Sequence, residues 1–249
     1  YEIRLSLVGS EMCIRDSAST YPASMTKVMT ALLVLEANPD LDTPVTLPED
    51  IFPELRAEGA SMAGFRPDET ATVRDLLYGV LLPSGAECCE ALAREVSGSE
   101  EAFVELMNQK AAALGMASTH FCNPTGLHDP EHVSTVRDMA VLLRAAMQNE
   151  MFRTIFATAR YTVPPTNLHP DGFTMESTFW SELDGTELRR GKFLGGKTGY
   201  TSAAGLCLAS AAEVKGKTYL MVTAGAQGNH DTEPYHVDDA VNVCRQLAR

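Results

Sequence analysis

Ser24 and Lys27 are the residues of this chain best suited by type and spacing to covalent chemistry. They stand three positions apart, next to an apolar run at 28–36 that predicts a helix. Residues at that spacing on a helix share one face, with Cβ atoms about 5–6 Å apart. A serine hydroxyl is a poor nucleophile until a base removes its proton. The spacing therefore predicts a serine nucleophile with a lysine amine as its base.

The lysine can accept a proton only when its amine is neutral, and a free lysine titrates near a pH of about 10.4. Burial, the positive end of a helix dipole and a second cation all lower such a pKa. The apolar run predicts burial of Lys27, and Lys197 is the candidate second cation. We therefore expect the pKa of Lys27 to lie below its ordinary value.

Lys197, Thr198 and Gly199 form a second candidate site on a predicted strand that also contains Gly195 and Gly196. Glycines weaken a strand unless something must approach its backbone closely. An extended substrate lying along the strand would do so, with Lys197 and Thr198 holding its carboxylate. The alternative is a loose, glycine-rich hairpin without a ligand.

Four segments now combine into a pattern: 21–27 (YPASMTK), 82–85 (LPSG), 123–127 (NPTGL) and 195–199 (GGKTG). S-x-x-K together with K-T-G is typical of penicillin-binding proteins and class A β-lactamases. In this order and spacing the segments resemble those of the serine-type D-alanyl-D-alanine carboxypeptidases, the low-molecular-mass penicillin-binding proteins. The resemblance runs from about residue 20 to residue 249.

The resemblance implies acyl transfer at Ser24. The serine would attack the penultimate D-Ala carbonyl of a peptidoglycan stem pentapeptide, terminal D-Ala would leave, and water would hydrolyse the acyl-enzyme. By position Lys27 would be the general base, and Ser84 would relay a proton to the leaving amine. The peptidoglycan stem peptide is thus the expected partner, β-lactam antibiotics are expected covalent inhibitors, and no cofactor or metal is expected.

The resemblance also assigns substrate-binding roles. Lys197 and Thr198 would hold the terminal carboxylate, and Gly199 and Tyr200 complete the substrate-binding set. The backbone N–H groups of Ser24 and Tyr200 would form the oxyanion hole, in which one donor is typically worth about 10²–10³ in rate.

The middle motif departs from the family's usual pattern. That pattern ends in asparagine, whereas this chain reads SGA at 84–86. Ala86 cannot bond a substrate amide or steady Lys27. Losing one bond that involves a charged group costs about 1.5–3 kcal/mol, or roughly 10- to 100-fold in rate. A penicillin-binding pseudoenzyme impaired by Ala86 is therefore one open alternative. A β-lactamase is the other, and the rate of deacylation distinguishes it. Glu105 superficially resembles a β-lactamase deacylation residue, but we expect it in a regular structural helix.

The substrate carboxylate lacks its usual partner, because many relatives carry an arginine after the K-T-G strand. This chain has none between Arg190 and Arg245. The polar candidates in that interval are Asn229, His230 and His236.

A metal site is not expected at His128 and His132, because Pro130 between them prevents the i, i+4 helical geometry of a paired ligand set. The six cysteines are scattered, without metal or disulfide-framework spacing, and we expect buried reduced thiols.

Composition limits the partners and the location. A net charge of −13 argues against nucleic acid and anionic membranes. No apolar run reaches the roughly 18 residues of a transmembrane helix. Membrane association is not visible in this chain, since the resemblance would place an anchor and a β-rich domain beyond residue 249. The resemblance implies an extracytoplasmic location, in the periplasm or on the outer face of the bacterial cytoplasmic membrane.

Residues 1–17 are expected to be a non-native segment, because 6–17 (SLVGSEMCIRDS) resembles translated adapter sequence. We expect residues 18–249 to form the catalytic domain, with a helical lobe at about 24–157 and a sheet lobe at about 158–249. The spacing predicts helices at 72–82, 86–96, 100–114, 135–147 and 238–247, and strands at 160–163, 192–198, 206–214 and 217–224. This order predicts an α+β fold, and the resemblance implies the β-lactamase/transpeptidase type, with helices packed against an antiparallel sheet.

Overall fold

A computed structural model describes residues 2–7, 17–37, 40–229 and 231–249, and for 2–7 it describes the backbone. The helices are α1 (Lys27–Ala37), α2 (Phe52–Ala57), α3 (Val73–Leu81), α4 (Ala86–Ser97), α5 (Glu100–Leu114), α6 (Val136–Ala146), α7 (Glu150–Phe156), α8 (Thr178–Leu183) and α9 (Tyr235–Leu247). The strands are β1 (Glu2–Leu7), β2 (Pro44–Thr46), β3 (Thr70–Thr72), β4 (Arg160–Val163), β5 (Phe173–Glu176), β6 (Gly191–Thr201), β7 (Gly205–Val214) and β8 (Lys217–Ala226). The predicted α+β class is confirmed.

The main sheet has the strand order β1-β8-β7-β6. Its three long strands are antiparallel neighbours, as predicted, and β7 and β8 meet in the hairpin turn at Lys215 and Gly216. β1 adds to the far edge in parallel to β8. Residues 8–16 lie outside the described part of the chain, so the non-native origin of 1–17 stays a prediction.

Local sequence explains the helix boundaries. Thr72 and Asp75 form a reciprocal capping box at the start of α3. Gly98 and Gly115 end α4 and α5 in the left-handed conformation that favours glycine. α2 is a short helix that forms because Phe52 and Leu55 bury one of its faces.

Helices cover both faces of the sheet. The larger core cluster joins α1, α3, α4 and α6 to one face, where Ala209, Ala211, Leu220 and Val222 point. A smaller cluster on the other face includes Phe179 of α8 and Val237 and Val241 of α9. The larger cluster draws on both the 24–157 and the 158–249 segments, and the two predicted lobes therefore share a core.

The glycines of β6 serve packing within the chain itself. A Cβ at Gly195 would overlap the carbonyl oxygen of Phe156, and one at Gly196 would overlap the ring of Phe179. These two glycines let α7 and α8 approach the strand, which differs from the expectation that a substrate needs the space. β6 is thereby held at the edge of the sheet, next to the turn that contains Ser24.

Candidate active site

Ser24 lies in a 3₁₀ turn, Ala23–Thr26, that leads directly into α1. The Lys27 amine donates to Ser24 Oγ at 3.1 Å. Ser24 is half-buried, whereas the Lys27 side chain is only 2% exposed. The structure therefore brings together the two residues that the sequence pairs, a half-buried serine and a buried lysine.

The turn is fixed from behind by a buried histidine that sequence reasoning did not identify as part of the site. His132 Nδ1 accepts from the backbone N–H of Cys122 at 3.1 Å, so Nε2 carries the proton and donates to Thr26 Oγ1 at 2.8 Å. Burial lowers the pKa of His132 to about 4, which keeps the ring neutral at physiological pH. His132 is thus a structural support for the turn.

A backbone carbonyl completes the surroundings of the lysine. The Lys27 amine donates to the carbonyl oxygen of Thr125 at 2.5 Å. Asn123 shapes the loop that presents this carbonyl, because its Oδ1 accepts from the N–H groups of Thr125 and Gly126 and its Nδ2 donates to Leu127 O. The segment 123–127 therefore aims a carbonyl acceptor at the candidate base.

Two glycines allow the segments to meet around Ser24. Gly126 has φ +80°, and a Cβ there would overlap the carbonyl oxygen of Ala23. A Cβ at Gly199 would lie 2.9 Å from the backbone nitrogen of Ser24. A side chain at either position would collide with the backbone around Ser24. Glycine is therefore required at both positions for the loop and strand β6 to approach the nucleophile.

Both lysines are buried, and their pKa values fall for that reason. Burial lowers the pKa of Lys27 and is the largest influence on it. Burial also lowers the pKa of Lys197 to about 7, with the charge of Lys27 as the second cause. A neutral amine at Lys27 is therefore accessible, as the sequence predicted.

The K-T-G residues lie beside the nucleophile, but they make internal bonds. The Lys197 side chain is fully buried, and its amine donates to the carbonyl oxygen of Thr198 at 2.8 Å. Thr198 Oγ1 lies 2.6 Å from Thr178 Oγ1 at the start of α8. Tyr200 follows on the same strand and lines the cavities on both sides of Ser24.

Ser84 adopts a left-handed conformation, with φ +69°, and is 5% exposed. Its Oγ has no hydrogen-bond partner among the described residues. The predicted proton relay therefore stands near Ser24 without a bond to either lysine. Ala86 is the first residue of α4 and lines the same cavity as Ser24 and Lys27.

Two cavities meet at Ser24. The larger one, which we call the cleft, has a volume of about 600 Å³ and is lined by Ser24, Lys27, Glu58–Ser61, Ala86, Thr125–His128 and Tyr200–Ala203. The smaller one, which we call the rear pocket, has a volume of about 60 Å³ and is lined by Ser24, Ser61, Ser84, Thr178, Glu182, Thr198–Tyr200, Leu206 and His236. A substrate carbonyl at Ser24 would have space on either side.

Of the three polar candidates for the carboxylate, His236 is the one that lines the rear pocket. Its Nε2 lies 3.0 Å from Glu182 Oε2, at ion-pair distance but without hydrogen-bond geometry, and its buried Nδ1 has no partner among the described residues. Asn229 instead bonds Asp231 and Thr232 within its own loop. His230 lies outside the described residues.

The other candidate motifs are structural. Glu105 lies within the regular helix α5, as predicted. Asn108 on the same helix bonds both the N–H and the carbonyl oxygen of Phe121. Cys88, Cys89, Cys207 and Cys244 are free and buried, as predicted, while Cys122 is half-buried. Cys13 lies outside the described residues. Within the described ranges, no group of three His, Cys, Asp or Glu side chains could hold a metal ion.

Solved structures share this fold. The Streptomyces K15 DD-transpeptidase superimposes with a TM-score of 0.81 at 30% identity, over 94% of this chain and 89% of the other. A penicillin-binding protein homologue from Mycobacterium tuberculosis gives a TM-score of 0.78 at 30% identity, over 94% and 84%. The fold is that of the penicillin-binding DD-peptidases.

Sequence comparison reaches the same class. The D-alanyl-D-alanine carboxypeptidase family model matches residues 15–228, so the chain belongs to that family. It is 34% identical to the carboxypeptidase DacF of Bacillus subtilis over 212 residues, which are 82% of this chain and 51% of that protein. It is 35% identical to the carboxypeptidase of Streptomyces strain K15 over 204 residues, 79% of this chain and 69% of the other. The chain thus spans about half the length of the Bacillus relative.

Proposed function

We propose that this chain is the catalytic domain, over residues 18–249, of a serine D-alanyl-D-alanine carboxypeptidase that forms an acyl-enzyme at Ser24. The observation that carries the proposal is the buried amine of Lys27, 3.1 Å from Ser24 Oγ and with a lowered pKa. A hydroxyl paired with a neutral amine is an activated nucleophile. Family membership supports the substrate class, a peptide that ends in D-Ala-D-Ala.

Acylation begins when Lys27 takes the proton of the Ser24 hydroxyl as Oγ attacks the penultimate D-Ala carbonyl. The Thr125 carbonyl oxygen keeps the amine in place by accepting one of its N–H bonds. The backbone N–H groups of Ser24 and Tyr200 hold the developing oxyanion. The C–N bond to terminal D-Ala then breaks, and the leaving nitrogen receives a proton through Ser84.

Substrate binding uses the strand residues and the rear pocket. Lys197 supplies positive charge behind the strand, Thr198 offers its hydroxyl, and Gly199 keeps the strand close to Ser24. His236 takes the place of the arginine that many relatives carry, because it is the basic side chain lining the rear pocket. The C-terminal carboxylate of the peptide therefore lies in the rear pocket.

Deacylation by water restores Ser24 and releases the shortened peptide, with Lys27 again able to accept a proton. These steps use side-chain and backbone groups of the chain, without a cofactor or metal. β-Lactams acylate the same serine by opening their ring, and act as covalent inhibitors if the adduct is long-lived.

The substrate exists in peptidoglycan, so the site of action is extracytoplasmic. Among the described residues, no helix is long and apolar enough to cross a bilayer.

The proposal is tested by intact-mass spectrometry after incubation with benzylpenicillin, beside the Ser24→Ala variant. We expect one stable adduct on the wild type and none on the variant, together with release of D-Ala from an acyl-D-Ala-D-Ala peptide. A folded wild-type chain that neither forms the adduct nor releases D-Ala would refute the proposal. Rapid turnover of benzylpenicillin without a persistent adduct would favour a β-lactamase. Activity that appears only in Ala86→Asn would identify an impaired site.

A further inference from the structure

A second cavity, which we call the acidic cavity, opens beside the cleft. It has a volume of about 210 Å³ and shares Glu58, Thr125, Leu127 and His128 with the lining of the cleft. Its lining carries six carboxylates: Asp50, Glu54, Glu58, Glu90, Glu100 and Asp129. None of these residues takes part in the chemistry at Ser24.

Positive charge in this cavity is scarce. Arg94 is the one lysine or arginine in the described lining, and its Nη1 already donates to Asp50 Oδ2 at 2.7 Å. Among the described residues, the other carboxylates of the lining make no hydrogen bond or ion pair with this guanidinium. Like charges placed together in a partly buried space favour the uptake of a cation.

Glu90 is the residue that points to a ligand. It is 6% exposed, lines the acidic cavity and has no hydrogen bond or ion pair among the described residues. Burial, and then the charge of Glu100, raise its pKa to about 8. Ionising a carboxyl on so deeply buried a side chain is costly. A cation bound in the cavity would favour the charged form of Glu90 and offset the repulsion from Glu100.

The position of the cavity relative to Ser24 indicates where such a cation comes from. Ser24 and Tyr200 line both the cleft and the rear pocket. With the C-terminal carboxylate of the peptide in the rear pocket, the residues that precede the reacting carbonyl lie in the cleft. A side chain of that upstream part can enter the acidic cavity past Glu58 and Leu127.

We propose that the acidic cavity binds a side-chain ammonium group of the peptide substrate, with Glu90 as its buried anchor. The inference rests on the proposed function, because it requires the peptide to occupy the cleft. An alkylammonium fits better than a metal ion, since it offers three N–H donors to dispersed carboxylates. The described residues contain no set of ligands grouped closely enough for a metal.

The test compares two peptides that end in D-Ala-D-Ala and differ at a lysine directly before them, one with a free amine and one Nε-acetylated. We expect the wild type to favour the free amine by about tenfold in kcat/KM, the value of one charged contact. Glu90→Gln should reduce that preference to about twofold or less. The matched control is Glu95→Gln, which makes the same substitution at an exposed position of the same helix and should keep the preference.

Equal kcat/KM of the wild type on the two peptides would overturn the inference, and so would a preference unchanged in Glu90→Gln. Glu54→Gln gives a second test at an exposed wall position, where a folding defect is not expected, and it should weaken the preference. Titration calorimetry of both peptides with Ser24→Ala separates this inference from the proposed function. Tighter binding of the free amine there supports the cavity even if the wild type releases no D-Ala. Equal binding contradicts it.

Discussion

The two sides of Ser24 differ in how fully their polar groups are bonded. On the lysine side, the amine of Lys27 donates to both Ser24 Oγ and the Thr125 carbonyl. In the rear pocket, Ser84 Oγ and His236 Nδ1 have no hydrogen-bond partner among the described residues. Ser24 thus lies between a hydrogen-bonded network around Lys27 and a rear pocket whose polar groups lack hydrogen-bond partners.

This difference indicates what each side does. A bonded network holds the base in position before substrate arrives, so that little reorganisation remains for the reaction. Unpaired buried groups are unfavourable, and they gain most when a ligand supplies the missing bonds. Changes on the lysine side should therefore lower the rate of acylation, whereas changes in the rear pocket should weaken substrate binding.

The largest effect is expected for Lys27→Met, which keeps the length and burial of the side chain but removes the base. The rate of acylation by benzylpenicillin should fall by about 10³, within the usual contribution of general-base catalysis. Stopped-flow or quenched mass spectrometry measures it, with circular dichroism as the check on folding. A rate within tenfold of the wild type would show that another group takes the proton.

Gly126→Ala should disrupt the backbone contact that holds the loop of Thr125 against the Ser24 turn. The new Cβ overlaps the Ala23 carbonyl, and φ is +80°. We expect the free energy of unfolding to fall by about 3–4 kcal/mol, from strain and steric overlap together. Gly115→Ala is the control, because Gly115 has φ +78° with no atom within 4 Å of the added Cβ. It should lose only about 1–2 kcal/mol. Equal losses in denaturant titrations would show that the close approach to Ala23 is unimportant.

Glu87→Gln tests a buried carboxyl on α4 that bonds the backbone at 63–64. Glu87 Oε1 accepts from the N–H groups of Ala63 and Gly64, and burial raises its pKa from 4.5 to about 7. The folded state therefore binds more protons than the unfolded state between those values, and the wild type loses stability as the pH rises through that window.

Glutamine keeps the acceptor and does not titrate. The variant should therefore gain stability relative to the wild type as the pH rises from about 4.5 to 7, by about 2–3 kcal/mol in total. Denaturant titrations at pH 5 and pH 8 measure the change. A difference between the two proteins that is the same at both pH values would mean that Glu87 is charged in the folded state already at pH 5.

Sequence reasoning identified the parts of the site whose signal is local. Ser24 and Lys27 are three positions apart, and the Thr72 capping box and the Gly115 helix end are likewise encoded within a few residues. A helix or turn fixes such neighbours with little help from the rest of the chain, so residue type and spacing were sufficient.

The missed parts depend on distant segments. The partner of Lys27 is a carbonyl 98 positions away, and a carbonyl belongs to every residue type, so no pattern of side chains reveals it. His132 meets Thr26 across 106 positions. Glu182 was missed because only the packing of α8 beside α9 brings it to His236. The glycines of β6 were noticed, but Phe156 and Phe179, which require Gly195 and Gly196, follow only from the folded chain.

The smallest expected effect concerns His236→Ala in the rear pocket. If the imidazole binds the substrate carboxylate, KM for an acyl-D-Ala-D-Ala peptide should rise by about tenfold while kcat changes little, since about 1.4 kcal/mol of binding is lost. Asn229→Ala is the control, because Asn229 bonds only its own loop among the described residues and should leave KM unchanged.

A peptide amidated at its C-terminus separates recognition of the carboxylate from a general effect on the rear pocket. It has no carboxylate to lose, so wild type and His236→Ala should act on it with similar KM. A fall in kcat instead of a rise in KM would place His236 with the reacting groups, and the contrast between the two sides of Ser24 would no longer hold. A rise in KM seen only with the peptide that has a free carboxylate would sharpen that contrast. It would show that the substrate carboxylate supplies the partner that His236 Nδ1 lacks.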